Sequence, residues 1–412
     1  MFKKNIILLL GGNKLNLGIY KKFKNSGYDV YVVDWNEEPQ LVGDKHYKLD
    51  VKNYNSIIGA LERDKILNRV LFAYSSIDLA VESVAKINRA VGLRTITDEA
   101  LKFACSKSMM TKKWKELGLL NKISKKYDKY DSSIFEMNTN MKIIIKPDNS
   151  ASSRGITICE KNTQDHLIKE AFLKAKNEAT NSTVVVEEFV DGVEYTVEML
   201  GDAKGNVCVY AVSKKTHTNN AGSNKVAVKL HYNSVSDEIQ ERLAEFGIKC
   251  YKALGFTSSL GHLEVILKPD GTISPVEIGA RSSGFIASDL VDIVSGASYL
   301  EDYIDVLQGA QVLPGMHSQT SKSSMYFFYD FPDGFKVSKE CSLLDYLDKS
   351  INSRYYNREN IYINNIFNKI DNDNARIGFE ILEGEKFILT ESYIVQKEKE
   401  MLLDMEGLCN VL

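Results

Sequence analysis

Two glutamates on either side of a tight turn carry the sharpest chemical signal in the chain. Glu264 ends Gly261-His262-Leu263-Glu264, Pro269-Asp270-Gly271 reads as a turn, and Glu277 lies in Val276-Glu277-Ile278-Gly279-Ala280-Arg281. A hairpin folded at Asp270-Gly271 sets both carboxylates on one face of adjacent antiparallel strands. Like charges so placed repel, and a divalent cation would compensate them through hard oxygen donors. The alternative is a pair of solvated carboxylates on a strand face. Arg281, at the strand end, can stabilise negative charge on a transferring phosphoryl group.

A second constellation runs from Ile143-Ile144-Ile145-Lys146 through Pro147-Asp148-Asn149-Ser150-Ala151-Ser152-Ser153-Arg154-Gly155. A strand ends in a lysine, a point charge for phosphate oxygens. The small residues after it let backbone N–H groups approach the same oxygens. A surface hairpin with a polar tip is the other reading. A third is Val184-Val185-Val186-Glu187-Glu188-Phe189-Val190, a buried strand entering a linker, followed by Glu194. Such a linker can offer one C=O and one N–H to the edge of an adenine, and Glu194 can accept from two ribose hydroxyls; otherwise this is a hairpin whose acids face water. Gly11-Gly12 and Gly18, with Asp34 after the next strand, form a fourth. The spacing departs from G-x-G-x-x-G, so a tight turn is preferred over a phosphate or ribose site.

The elements that must position these residues follow from periodicity. Residues 5–10, 28–33 and 69–74 are β-type runs, and residues 17–25, 54–61 and 78–91 have helical spacing. This alternation predicts a parallel sheet with crossover helices. Residues 98–118 read as one helical stretch capped by Thr97 or Asp98. Strands then dominate, at 142–146, 156–159, 183–188, 194–200, 207–213, 261–267 and 272–278, with helices at 165–177 and 236–254. Beyond Pro314, strands are expected at 325–329, 375–381 and 386–389, and the asparagine-rich residues 352–374 read as a long loop.

Composition sets limits. The 412 residues contain 52 Lys+Arg and 55 Asp+Glu, a formal net charge of −3, so no chain-wide electrostatic grip on nucleic acid is expected. No apolar run reaches the ~18–20 residues of a membrane span. Met1-Phe2-Lys3-Lys4 and the apolar Ile6 to Leu10 superficially resemble a secretory leader, but Gly11-Gly12 follow at once, and a buried strand entering a glycine turn fits better. The six cysteines are scattered without a Cys-x-x-Cys pair, as for reduced thiols in a cytoplasmic protein.

In this order and spacing, the constellations resemble the ATP-grasp superfamily of carboxylate–amine ligases, most of all the L-amino acid ligases and short carbamoyl-phosphate-synthetase-like proteins. The resemblance implies a mixed α/β and α+β fold: a Rossmann-like pre-ATP-grasp domain (residues 1–100), linker helices and a first ATP-grasp subdomain (101–186), a second subdomain (187–310) and a small C-terminal α+β region on the substrate side (311–412). By the same resemblance, Lys107 and Lys146 contact phosphates, and the loop holding Ser152, Ser153 and Gly155 closes over them. Glu187, Glu188, Phe189 and Val190 form the adenine hinge, with the backbones of Glu188 and Val190 bonding. Glu194 takes the ribose, Ile266 the adenine face, and Glu264 and Glu277 the metal. Arg281 steadies an acyl phosphate. Lys215 and His217, just past a strand, meet a carboxylate or the γ-phosphate, or else form an exposed basic turn. Gly279 stands where the family pattern has an Asn as third metal ligand.

The implied cofactors are ATP and magnesium, with manganese as an alternative. The implied partners are small-molecule carboxylate and amine substrates and a second copy in a homodimer, with no nucleic acid and no membrane. The implied activity is carboxylate activation as an acyl phosphate and condensation with an amine. The alternatives are a purine-biosynthesis or biotin-carboxylase-like ATP-grasp enzyme, or a non-catalytic nucleotide-binding relative.

Overall fold

The computed structural model describes residues 4–13, 16–150, 154–218, 226–284, 287–370 and 375–406. Its first strand, β1 (Ile6–Leu10), is apolar and buried at every position, the pattern of a strand covered on both faces. It lies between β2 (Asp29–Asp34) and β4 (Val70–Tyr74), with β3 (Lys45–Lys48) outside β2, and every pairing is parallel. Helix α1 (Leu17–Asn25) connects β1 to β2, α2 (Tyr54–Arg63) connects β3 to β4, and α3 (Val81–Ala90) follows β4. The charged edge strand β3 had no apolar run to announce it. The glycine turn is structural: the Gly12 amide donates to Asp34 Oδ2 (2.7 Å), and Asn36 donates its backbone and side-chain N–H groups to Oδ1. Asp34 is therefore spent on the turn.

Residues 98–118 are two helices, not one. Thr97 caps α4 (Asp98–Ala104), and Ser106 caps α5 (Lys107–Glu116). The break is held by Asp148, whose carboxylate accepts from Ser106 Oγ and the Ser108 amide, while its carbonyl accepts from the Lys107 amide. Lys107 is thereby fixed in the first turn of α5.

A four-stranded antiparallel sheet follows, in the order β5-β8-β6-β7: β5 (Ser124–Tyr127), β6 (Ile143–Pro147), β7 (Thr157–Cys159) and β8 (Val184–Glu188). Helices α6 (Ser132–Asn140) and α7 (Asp165–Glu178) complete its apolar core, with Ile134, Ile168 and Phe172 packed against Ile143, Ile145, Val184 and Val186. The expected boundary between residues 186 and 187 falls inside β8.

The largest sheet collects β9 (Val193–Gly201), β10 (Val207–His217), β11 (Ala227–Tyr232), β12 (Ser259–Leu267), β13 (Ile273–Gly279), β14 (Gly315–Met316), β15 (Lys322–Phe328), β17 (Asn352–Asn357) and β19 (Phe379–Glu385). Its order is β13-β12-β9-β10-β11-β15-β19-β17, with β14 beside β10. The sheet crosses residue 310 through the β11–β15 pairing. Two expectations for the C-terminal region are corrected here. Residues 352–357 form β17 against β19, because pairing overrides their polar composition. Residues 386–389 form a turn closed by the amides of Ile388 and Leu389 on the Glu385 carbonyl, not a strand. The short β16 (Phe335–Lys336) and β18 (Ile366–Phe367) pair separately. Helix α8 (Asp237–Ala253) packs Leu243 and Tyr251 against Val197 and Leu263. Helices α9 (Ala287–Ser295) and α10 (Tyr299–Gln308) share one core with both the N-terminal and the large sheet, where Leu9 and Phe72 meet Leu290, Tyr299 and Phe328. Helix α11 (Glu391–Met405) closes the C-terminal core.

Among the described residues no helix is long and apolar enough to cross a membrane, and Cys105, Cys159, Cys208, Cys250 and Cys341 are free thiols.

His231 on β11 is buried, with Nε2 2.8 Å from Ser323 Oγ. Burial pushes its pKa from 6.5 down to about 3. The unfolded chain takes up that proton first, so this contribution to stability is complete above pH 6.5 and declines as the pH falls toward 3. His231→Gln should flatten the decline, as read from urea midpoints between neutral pH and about pH 4.5.

Candidate active site

Strands β12 and β13 set Glu264 directly opposite Glu277. Lysines meet the repulsion between them. Lys215 Nζ lies 2.7 Å from Glu264 Oε1 and 2.6 Å from Glu194 Oε1, and Lys107 Nζ lies 2.8 Å from Glu277 Oε2. Burial would raise the Glu264 pKa, but Lys215 and His262 together outweigh it and hold the carboxyl well below the usual range. Burial would lower the Lys107 pKa, and Glu277 keeps it raised.

Lys215 and His217 do not lie past a strand or on an exposed turn. They belong to β10, which extends four residues beyond its expected end, and they are partly buried. Lys215 is in register with Glu194, and His217 Nε2 is 3.2 Å from Glu194 Oε2. Both Glu194 oxygens are therefore engaged by basic side chains.

Among the functional candidates missed in the sequence are His262 and Glu198. His262 Nδ1 is 2.7 Å from Glu198 Oε1, and its Nε2 is 3.7 Å from Glu264 Oε1. Burial would lower the His262 pKa, but Glu198 raises it to about 9. The available signal was the period of two: His262 precedes Glu264 by two positions, Glu198 follows Glu194 by four, and the strands place His262 opposite Glu198.

Lys146 is buried and pairs with Glu187 Oε2 at 2.7 Å; Lys122 reaches the same oxygen at 2.7 Å, and Ser124 Oγ donates to Oε1 at 3.0 Å. Glu187 thus faces the interior rather than water, and it is fully buried. Burial would raise its pKa, yet Lys146 and Lys122 together hold it far below the usual range. In the linker, the Glu188 amide donates to the Ile123 carbonyl (2.8 Å) and the Phe189 amide to the Lys142 carbonyl (3.0 Å). The Lys142 ammonium sits 4.4 Å from the Phe189 ring centre. Among the described residues the Val190 amide has no acceptor.

These elements border a cavity of about 720 Å³, within the usual size of small-molecule sites. Lys107, Lys146, Lys215, His217, Glu264, Glu277 and Arg281 line it together. So do Asp78, from the turn after β4, and Phe328, Arg376 and Phe379 from the C-terminal region. Gly155, Glu187, Glu188, Phe189, Val190, Glu194 and Ile266 do not form its wall. Gly155 packs against Glu178, and Ile266 lies on β12 opposite Glu194. Ser152 and Ser153 lie outside the described residues.

The donor set suits magnesium. Two carboxylates face each other on one wall, Gly279 adds no donor, and among the described residues no group of three or more His, Cys, Asp or Glu could hold a metal ion. Magnesium is commonly held by one or two carboxylates, with substrate phosphates and water completing the shell.

Residues 139–289 match the family model described as ATP-grasp domain. Among solved structures, the chain superposes on an L-amino acid ligase from Bacillus licheniformis with a TM-score of 0.70 at 16% identity, covering 97% of this chain and 98% of that one. A phosphoribosylglycinamide synthetase from Anaerococcus prevotii gives 0.63 at 18%, covering 97% and 98%. A biotin carboxylase from Campylobacter jejuni, in complex with a β,γ-ATP ligand, gives 0.67 at 16%, covering 97% and 91%. At these identities the likeness is one of fold. A search of curated protein sequences gave no match.

The buried Lys122–Glu187–Lys146 cluster makes a clear prediction. Glu187→Gln strands two buried ammonium groups and should cost about 3–5 kcal/mol in denaturant unfolding, whereas Lys122→Met, which leaves Glu187 paired with Lys146, should cost less.

Proposed function

We propose that this chain, which carries an ATP-grasp domain, is an ATP- and magnesium-dependent ligase. In this reading it activates a carboxylate as an acyl phosphate, lets an amine displace the phosphate, and releases ADP, phosphate and an amide or peptide-like product. One observation carries the reading: the facing Glu264–Glu277 pair, its two lysines and Arg281 all border a single cavity. The remaining functional work is positioning and charge neutralisation, which phosphoryl transfer chiefly requires.

Glu264 and Glu277 would hold magnesium, whose contribution is to neutralise charge on the phosphates. Lys107 and Lys146 offer ammonium groups to the same oxygens, with the loop of Ser152, Ser153 and Gly155 closing over them. The Glu188 carbonyl and the Val190 N–H read the adenine, which is supported by a Glu188 amide already engaged and a Val190 amide without an acceptor among the described residues. Phe189 and Ile266 are its apolar neighbours. Glu187 acts from behind by fixing Lys146. Glu194 reaches ribose only if Lys215 and His217 shift from its oxygens toward the substrate carboxylate or γ-phosphate. Arg281 stabilises the acyl phosphate. The two substrates are small molecules, and the enzyme works in the cytoplasm as a homodimer.

The test is a nucleotide-product assay with pools of carboxylates and amino acids at millimolar magnesium, read by mass spectrometry. ADP and phosphate should form only when both pools are present, together with a condensed mass. AMP as the product would overturn the acyl-phosphate route. Glu277→Ala should abolish turnover, Lys146→Ala should weaken ATP binding, and Arg281→Ala should lower kcat with little effect on ATP affinity. Equal loss of ATP affinity in all three would refute these separate roles.

A further inference from the structure

Arg281 is gripped by a residue from the turn after β4 that the sequence reading left without a role. Asp78 lies in the short 3-10 turn Asp78–Ala80 that follows β4. Its Oδ1 accepts from Arg281 Nε at 2.5 Å, and its Oδ2 from Nη2 at 2.6 Å. Arg281 Nη1 donates to the Ser282 carbonyl at 2.8 Å. A guanidinium has five N–H donors. Among the described residues these bonds use three, leaving one hydrogen on each Nη for an anion in the cavity. Tyr74, at the end of β4, holds the same segment, with its hydroxyl 2.5 Å from Ser282 Oγ. The strand and the turn after it therefore clamp residues 281–282 from two directions.

Gly279 is part of this arrangement. A Cβ there would lie 3.1 Å from Arg281 Cγ, 3.2 Å from Asp78 Oδ1 and 3.3 Å from Arg281 Nε. A side chain at 279 would press on both partners of the pair, so the Asn of the family pattern and the Asp78–Arg281 grip compete for one space. Asp78 stays ionised in this position: burial would raise its pKa, and Arg281 lowers it.

We propose that Asp78 is a positioning residue for Arg281, and that Gly279 is the space this role requires. The carboxylate holds the Nε–Nη2 edge, which leaves the Nη1–Nη2 edge for phosphoryl or carboxylate oxygens. The proposal rests on the ligase reading for its effect on turnover, but the grip itself can be tested separately.

The test is chemical rescue. Arg281→Ala leaves a cradle bounded by Asp78, and millimolar guanidinium should restore turnover to it. Arg281→Ala/Asp78→Ala should show no rescue. Asp78→Ala alone should lower kcat about 10²-fold, the cost of misplacing a reacting group by about 1 Å, with ATP affinity unchanged; Asp78→Asn serves if the alanine variant does not fold. Gly279→Asn should also lower kcat, and adding it to Asp78→Ala should cost little more. The arm independent of activity is the 13C linewidth of labelled guanidinium, expected to broaden with Arg281→Ala and to stay sharp with the double variant. Equal rescue or equal broadening in the two backgrounds would overturn the proposal, as would a loss of ATP affinity matching the loss of kcat in Asp78→Ala. A wild-type protein with no turnover on any pool would refute the ligase reading, while the linewidths would still decide the grip.

Discussion

Two carboxylates facing each other across neighbouring strands are the constraint around which the site is organised. At the distance of a direct cross-strand pair, unscreened like charges are destabilising, so Glu264 and Glu277 each need a cation close by. Those cations come from different parts of the chain. Lys215 depends on β10 continuing beyond Ser213, and Lys107 depends on the interruption between α4 and α5 that Asp148 and Ser106 maintain. The length of β10, the helix break and Asp148 all converge on one requirement, which is to hold two negative charges together in a half-buried wall.

The same logic recurs with opposite sign behind the cavity. Lys122 and Lys146 share one buried carboxylate, Glu187. One anion holding two cations leaves an excess of positive charge beside a cavity that Lys107, Lys215 and Arg281 also line. Such a concentration of cationic groups favours a ligand rich in negative charge.

How far the sequence disclosed this depended on the reach of each interaction. The Glu264–Glu277 hairpin was legible because a Pro-Asp-Gly turn sets it, but the shared face was not, since it depends on a bulge between Glu264 and Val265 without which Glu264 would oppose Val276. The parallel N-terminal sheet was legible because the β1 run is apolar at every position. The break at Cys105-Ser106 was hidden, since its cause, Asp148, lies some forty residues away, and the helical pattern continues across it. Lys122 and Asp78 were hidden for the same reason: each is an unremarkable residue until the fold brings it to Glu187 or Arg281. Lys215 and His217 were located but misplaced onto a turn, because the polar end of β10 reads as a loop until its pairing with Glu194 is known. The C-terminal region was least legible, since β17 is built from polar residues that only the partner strand orders.

The order of the large sheet has a consequence for how the protein can be divided. Strand β11 is buried at all six positions, and its outer neighbour is β15, which in turn carries β19 and β17. Cutting the chain after α10 would strip β11 of that neighbour and leave a row of unpaired backbone N–H and C=O groups on a strand that is otherwise buried, an open template for self-association. The last hundred residues are thus not an appendage to a separable nucleotide-binding unit. The family-matched segment is a stretch of sequence without being a free-standing body, and shuffling it between proteins would require carrying the distal strands along.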